Sequence, residues 1–388
     1  MERGEIRTLG FSTVFIGEQY HHATKMQQKS IQISIHAALL RRRDKEVGND
    51  APLAAEDDLV PEAILDYSPF VRYHRTGGFA MSDLVPSPKV GSAGWSYPHW
   101  QGVVYPKVRP TGFHPLELLA KHIGVVEINS SFYQPLKPEV VILWIKQVQA
   151  HDGFQFTAKL YQRFTHARIL EDNEVGKFKE GLWPLLHARK LGALLMQFPW
   201  SFRFTAENRE FFIRLRRAFH EFPLVAEMRH SSWMSEDAVG TFLDYRVGFC
   251  NIDQPEYTSA MPPTSFLTSP VGYVRLHGRN PRNALGAYDR NFFNQSANRL
   301  RQHNYLYSEA ELAEWVERIR HIGRYADSMF VILNNDAGGK SIVNALQLQA
   351  MLSGVRNVAP RELRRRYPLE LERFSPEYAE QQCLFSAA

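Results

Sequence analysis

Residues 125–134 read VVEINSSFYQ, an apolar, β-branched start broken by Glu127 and Asn129 and followed at once by Ser130, Ser131 and Tyr133. In a strand, residues two apart share a face, so Val125, Glu127 and Asn129 point the same way. A carboxylate on such a face is costly unless it meets a counter-charge or water. The stretch therefore predicts a buried strand whose C-terminal end opens onto a site.

Outward from it the same texture recurs. Strands are expected at 89–93 (KVGSA), 124–129 (GVVEIN), 154–159 (FQFTAK), 193–198 (ALLMQF), 224–229 (LVAEMR), 247–252 (VGFCNI), 272–277 (GYVRLH) and 329–334 (MFVILN). Helical spacing of apolar residues fills the intervals at 115–122, 138–150, 174–188, 205–220, 234–244, 308–322 and 341–353. One connection, DQPEYTSAMPPTSFLTSP at 253–270, reads as a loop because its prolines and serines forbid a long helix. Strand–helix alternation with continuous apolar strands predicts a parallel sheet covered on its outside. Eight units over roughly 270 residues fit a (β/α)8 TIM-like barrel of the α/β class better than an open doubly wound sheet. No GxGxxG follows the first strand, which argues against a dinucleotide site.

Residues 1–85 differ from this pattern. They hold the basic run RRRDKE at 41–46, an acidic, alanine-rich stretch and a short helical pattern around Ile31 to Arg43, yet nothing closes into a core. RRRDKE reads as a solvated helix end before a nucleic-acid arm. The expected organisation is a poorly structured N-terminal extension over 1–85, a barrel domain over 86–358 and a tail over 359–388 that packs on the barrel or extends from it.

Composition sets bounds on partners. The chain has 388 residues, 44% hydrophobic and 22% charged, enough for a sizeable globular core. Cys250 and Cys383 are too few and too far apart for a disulfide framework or a zinc cluster, which favours a reducing cytoplasm. A formal charge of +5 biases the chain mildly toward anionic partners. No apolar stretch approaches the ~20 residues of a membrane span, and the N-terminus lacks the apolar core of a signal peptide, so the protein is expected in the cytoplasm and off the membrane.

In a TIM barrel, functional groups gather at the C-terminal ends of strands and in the following loops. Here those positions carry Glu127 and Asn129, Lys159, Gln197, then Glu227, Arg229 and His230. The sixth strand adds Asn251 and Asp253, the seventh Arg275, His277 and Arg279, and the eighth Asn334, Asn335 and Asp336. Charges there must pair with each other or face an aqueous mouth, and either way they share one region. With Arg163 and Lys340 included, positive groups exceed negative ones, which points to an anionic substrate. NNDAGGKSIVNA at 334–345 runs through Gly338 and Gly339 into a helix, offering amide donors where these barrels commonly bind phosphate. It is not a Walker A loop, because Asn334 stands where the first glycine would be. Trp95, Tyr97 and Trp100, Phe132 and Tyr133, Trp200 and Phe202, and Trp233 crowd the same loops, and such rings stack on bases or sugar faces.

GSAGWSYPHWQGVVYP, VEINSSFYQ, FQFTAKLYQRFTH, LLMQFPWSF, AEMRHSSW, YVRLHGRN and NNDAGGKSIVNA occur in that order between about 88 and 355. Together they resemble the YecE-like family, domain of unknown function 72. The resemblance implies a TIM-barrel-like fold and no particular reaction, since the family's activity is not established. One departure is that such domains usually begin near the first methionine, and Met81 stands at that place here.

Three functions suit these residues. The first is an enzyme that binds and hydrolyses a phosphate-bearing substrate, a nucleotide or nucleic acid. Lys159, Arg229, Arg275, Arg279, Lys340 and the Gly338–Gly339 turn would hold the anion. Trp95, Tyr97, Asn129, Tyr133, Gln197, Asn334 and Asn335 would complete the binding surface. Glu127 or Glu227 would serve as base and His277 or His166 as acid. Glu127, Glu227, Asp253 and His277 invite a metal, but no HxH or HExxH spacing supports one, so no metal set is assigned and the cofactor is left open. The second is a non-catalytic nucleic-acid-binding protein. The third is a glycosidase, weaker because the large TIM-barrel glycosidase clan uses strands four and seven, where this chain has Gln197 and Arg275. The oligomeric state is not legible.

Overall fold

A computed structural model describes residues 86–280 and 303–376, and the readings made for residues 1–85 lie outside them. Eight parallel strands close into a ring in sequence order, β1 pairing with β8. They are β1 (Lys89–Ala93), β2 (Val125–Ile128), β3 (Gln155–Lys159), β4 (Leu191–Gln197), β5 (Leu224–Glu227), β6 (Gly248–Asp253), β7 (Val271–Leu276) and β8 (Ser328–Leu333). The main covering helices are α1 (Pro115–Ala120), α2 (Pro138–Gln147), α3 (Asp172–His187), α4 (Ala206–Ala218), α5 (Glu236–Asp244), α6 (Glu309–Gly323) and α7 (Lys340–Ser353). The (β/α)8 reading of the sequence is thus the architecture of the described chain.

Local chemistry sets the helix ends. Pro138 starts α2 at a position whose amide would have no partner anyway. Thr205 and Ser235 cap α4 and α5 with side-chain oxygens. Ser308 and Glu311 form a reciprocal capping box on α6. α7 ends at Gly354, whose φ of 74° is the left-handed geometry glycine supplies at no steric cost.

After β6 no helix forms before β7, as the prolines predicted. Asn251 supplies what a helix would otherwise provide. Its side-chain oxygen accepts from the Phe266 amide at 2.7 Å and the Thr264 hydroxyl at 2.8 Å, while its nitrogen donates to the Phe266 carbonyl at 2.9 Å. The extended connection is thereby pinned along the barrel wall.

The interior is crossed by side chains rather than left hollow. The Tyr273 hydroxyl on β7 lies 2.9 Å from Thr157 Oγ1 on β3 and 3.1 Å from Glu127 Oε2 on β2. β7 and β3 stand on opposite sides of the ring, so this link runs through its middle. Nearer the strand starts, Phe330 of β8 reaches across to β4, where a Cβ at Gly192 would fall 2.2 Å from its ring. Glycine at 192 is what lets the ring close the floor.

Five strands end earlier than their sequence patterns suggest: β2 at Ile128, β4 at Gln197, β5 at Glu227, β7 at Leu276 and β8 at Leu333. β5 shares only two register positions with β6, so its ladder stops before its apolar pattern does. Arg229, His277 and Asn334 consequently sit just beyond the ladder, at the mouth. Past α7, a short helix α8 (Arg361–Arg366) and the following turn pack back. The Tyr367 hydroxyl donates to the Gly338 carbonyl at 2.8 Å, and Gln347 donates to the Glu370 carbonyl at 2.9 Å.

Tyr273→Phe removes the hydroxyl that ties β7 to β2 and β3 and leaves Thr157 and Glu127 short of a partner in a dry interior. The expected loss is about 1–3 kcal/mol in equilibrium urea unfolding, and an unchanged midpoint would show that the cross-link contributes nothing.

Candidate functional site

Strand alternation places Tyr273, Arg275 and His277 successively along β7 and just past its end, on the inward face that the Tyr273 contacts identify. Arg275, fully buried, spans the ring: its Nη2 donates to Glu127 Oε1 on β2 at 2.8 Å and its Nη1 donates to Glu227 Oε2 on β5. Both carboxylates are fully buried. The guanidinium fork is the side chain able to serve two carboxylates at once with fixed geometry. Arg229 adds its Nε to the other Glu227 oxygen at 2.9 Å.

These charges set one another. Burial alone would raise the Glu227 carboxyl, but Arg275, then His277 and Arg229, hold it well below the ordinary carboxylate range. Burial alone would weaken the positive charge of Arg275, and Glu127 and Glu227 reverse that and raise it. His277 is lowered to about 4 by burial, with Glu227 only partly opposing, and so is neutral at pH 7. Asn334 donates its amide to His277 Nδ1 at 2.9 Å, which leaves the ring proton on Nε2, 3.4 Å from Glu227. That contact is therefore a neutral N–H facing a carboxylate and not an ion pair.

Lys159, His166, Gln197, Asn129 and Tyr133 stand at or beyond the C-terminal ends of their strands. Lys159 ends β3, with its backbone clamped by Ser131, whose hydroxyl donates to the Lys159 carbonyl at 2.7 Å. Its Nζ lies 4.3 Å from the centre of the Phe132 ring. Burial first, then repulsion from Arg275, opposed by Glu127 and Glu227 and reinforced by Arg229, lowers this amine from 10.5 to about 7. His166 is exposed on the rim, with Nδ1 2.9 Å from Thr165 Oγ1 and its ring edge-on to Phe132. Loss of hydration and repulsion from Lys159 and Arg229 lower it to about 4. Gln197 and Asn129, both half-buried, end β4 and follow β2, and Tyr133 beside them is half exposed.

Other expected site residues are engaged elsewhere. Trp95 is buried against Trp144 of α2, ring centres 5.0 Å apart, and the Tyr97 hydroxyl donates to the Ala93 carbonyl. Arg279 belongs to a separate network with Asp253 at 2.9 Å and Glu314 at 3.0 Å. Asn335 donates to Tyr305 and Asn344, and Lys340 donates to Asn304. At the glycine turn, a Cβ on Gly339 would fall 2.7 Å from Val104 and 3.1 Å from Leu363, while Tyr367 covers Gly338. The neighbours of that turn are protein atoms. Sequence reasoning passed over Tyr273 and Thr157, although the period of two running back from Arg275 marks Tyr273.

Among the described residues no group of three or more His, Cys, Asp or Glu is placed to hold a metal, and no helix is long and apolar enough to cross a membrane. A cavity of about 470 Å³ opens at the other end of the barrel, lined by Pro86, Pro88, Arg324 and Leu352 among others. It has none of the matched acids and bases of the mouth, which is where the chemistry points.

A closed eight-stranded ring with its charged groups at the strand C-termini defines a TIM-barrel protein. A family profile described as "Protein of unknown function DUF72" matches residues 89–366, and the chain belongs to that family. It is 26% identical over 295 residues to the UPF0759 protein YunF of Bacillus subtilis, covering 71% of this chain and 98% of YunF. It is 32% identical over 115 residues to the UPF0759 protein YecE of Escherichia coli, covering 29% of this chain and 38% of YecE. Crystal structures of DUF72 family proteins from Thermotoga maritima, at 27% identity, and Enterococcus faecalis, at 25%, each superpose with a TM-score of 0.58. Both cover 68% of this chain, and 98% and 94% of their own chains respectively.

Two outcomes follow from the charge geometry. Arg275→Met leaves two buried carboxylates without their shared counter-charge and should cost about 3–5 kcal/mol in denaturant unfolding, partly recovered when Glu127→Gln and Glu227→Gln are added. Between about 7 and 10.5 the unfolded chain binds more protons at Lys159 than the folded chain does, so this group makes stability rise with pH across that window. Lys159→Met should flatten the rise in a series of pH-dependent melts, and an unaltered slope would contradict the lowered amine.

Proposed function

We propose that the mouth of the barrel receives a small phosphate-bearing anion, a nucleotide or the terminal phosphate of a nucleic acid. The supporting observation is a residue of unused positive donors above an otherwise matched cluster. Glu127 and Glu227 are balanced by Arg275 and Arg229. Arg229 engages only its Nε among the described residues, which leaves both terminal nitrogens for a ligand, and Lys159 adds an amine without an acidic partner within bonding reach. Two such donors at the end of a low-dielectric interior form an anion receptor.

Hydrolysis of the bound phosphate would fall to His166. Glu227 is held well below the ordinary carboxylate range and is a weak base, Glu127 is engaged by Arg275 and Tyr273, and His277 has both ring nitrogens occupied by Asn334 and Glu227. His166 keeps Nε2 available and is neutral at pH 7, so it can accept a hydrogen bond from an attacking water and orient it, while at about 4 it is no stronger a base than an ordinary carboxylate. A glycosidase is less well supported, because the Arg275 guanidinium fills the space between the two carboxylates where a sugar would need to lie. Tyr133 and Phe132 on the rim favour a ligand with a flat ring, such as a nucleobase.

A bound anion favours the ammonium form of Lys159. Phosphate and nucleotide binding should therefore tighten as pH falls from about 8.5 to 6.5 and take up protons, as calorimetry in buffers of different ionisation enthalpy would register. Arg229→Ala should weaken binding roughly tenfold, while His166→Ala should spare binding and abolish any phosphate-ester turnover. Affinity that ignores both pH and Arg229 would sink the reading, and binding without turnover in the unaltered protein would leave a receptor and no hydrolase.

A further inference from the structure

Lys159 differs from the charged groups beneath it. Arg275, Arg229, Glu127 and Glu227 hold one another, whereas Lys159 Nζ has no hydrogen bond or ion pair among the described residues and rests against the Phe132 ring. The residue is only 9% exposed, so its Nζ meets solvent over a narrow opening rather than through a full hydration shell. Its position is nonetheless built. Ser131 binds both ends of the Lys159 peptide, donating to the carbonyl at 2.7 Å and accepting from the amide at 3.1 Å, which fixes the strand end that carries the side chain. A lysine serving only to balance charge would lie on the carboxylates, and Arg275 already occupies them.

We propose that Lys159 is a nucleophile that adds to the carbonyl carbon of a small anionic aldehyde or ketone, forming an iminium at the barrel mouth. The proposal rests on the anion-receptor reading, since Arg229 would hold the phosphate or carboxylate of the same molecule. The charged and titratable groups around the amine are Arg275, Arg229, Glu127, Glu227 and, on the rim, His166. Burial and the two guanidinium groups leave about half of the amine neutral at pH 7, against roughly one part in three thousand for a lysine at the ordinary 10.5.

The step balances without an oxidant or reductant. The amine lone pair forms the nitrogen–carbon bond as the carbonyl π pair moves to oxygen. The proton freed on nitrogen passes to that oxygen. The nitrogen lone pair then expels the hydroxyl, which takes one proton from solvent at the mouth and leaves as water. Amine, carbonyl and one proton thus become a protonated iminium and water. The Phe132 face and the two carboxylates offset part of the cost of placing the cation so formed there.

Glyoxylate and glycolaldehyde phosphate, small aldehydes carrying a carboxylate and a phosphate respectively, serve as probes with the full chain. After borohydride reduction and peptide mass spectrometry, the adduct should appear at Lys159 at least about tenfold above any other lysine, with a trapping rate whose midpoint lies near pH 7. Lys159→Arg, which keeps a positive charge, should reduce the adduct at that peptide to background. The probe trapped more strongly identifies which anion Arg229 prefers. Adducts spread evenly over the lysines, or none at Lys159, would overturn the nucleophile. If inorganic phosphate still bound to the mouth in that case, the receptor reading would survive alone, and if it did not, both would fall.

Discussion

A guanidinium enclosed by a ring of strands cannot stand alone. Removing Arg275 from water costs several kcal/mol, and that cost is offset only if its fork meets acids of matching geometry. Glu127 and Glu227 meet it from strands three places apart in the ring on one side and two on the other. The registers of β2, β5 and β7 must therefore agree to within a fraction of a residue, since a slip of one would turn a charged side chain out of the interior. The ion triad acts as a gauge on the closure of the barrel, with Tyr273 and Thr157 extending the same constraint one layer deeper.

From that layer upward, the balance of charge changes sign. The triad alone carries one negative charge in excess, Arg229 cancels it, and Lys159 adds positive charge only when protonated. The mouth is thus close to neutral without a ligand and responsive to one. An anion arriving there meets little net repulsion from the buried acids and finds donors that require no rearrangement of the interior. This graded arrangement differs from the glycine turn before α7, where Val104 and Leu363 crowd the space beside Gly339 and the Tyr367 hydroxyl donates to the Gly338 carbonyl.

The strand count, the order of helices and the missing helix after β6 were legible because apolar continuity, helical spacing and proline placement are local properties that tertiary contacts did not override. Glu127, Glu227 and Arg275 were legible as a group because charges on apolar strands must find each other. Which of the remaining polar residues reach the mouth was not. Asn335 and Arg279 follow strand ends like Arg229, and Lys340 opens α7, yet their partners come from β6, α6, α7 and nearby loop residues whose approach no spacing in the sequence announces. Trp95 turns to Trp144 on α2 for the same reason: the wall of helices offers a larger apolar contact than the rim does. Tyr273 was overlooked because an aromatic in a buried strand looks like packing until its hydroxyl is seen spanning the ring.

Phe330, wedged against the bare backbone at Gly192, stoppers the ring from below. Passage through the middle of the strand starts is blocked at that contact. A solute bound for Lys159 would come from the strand C-termini, and an occupant resting on Arg229 would also shield the amine from competing solutes for as long as it stayed.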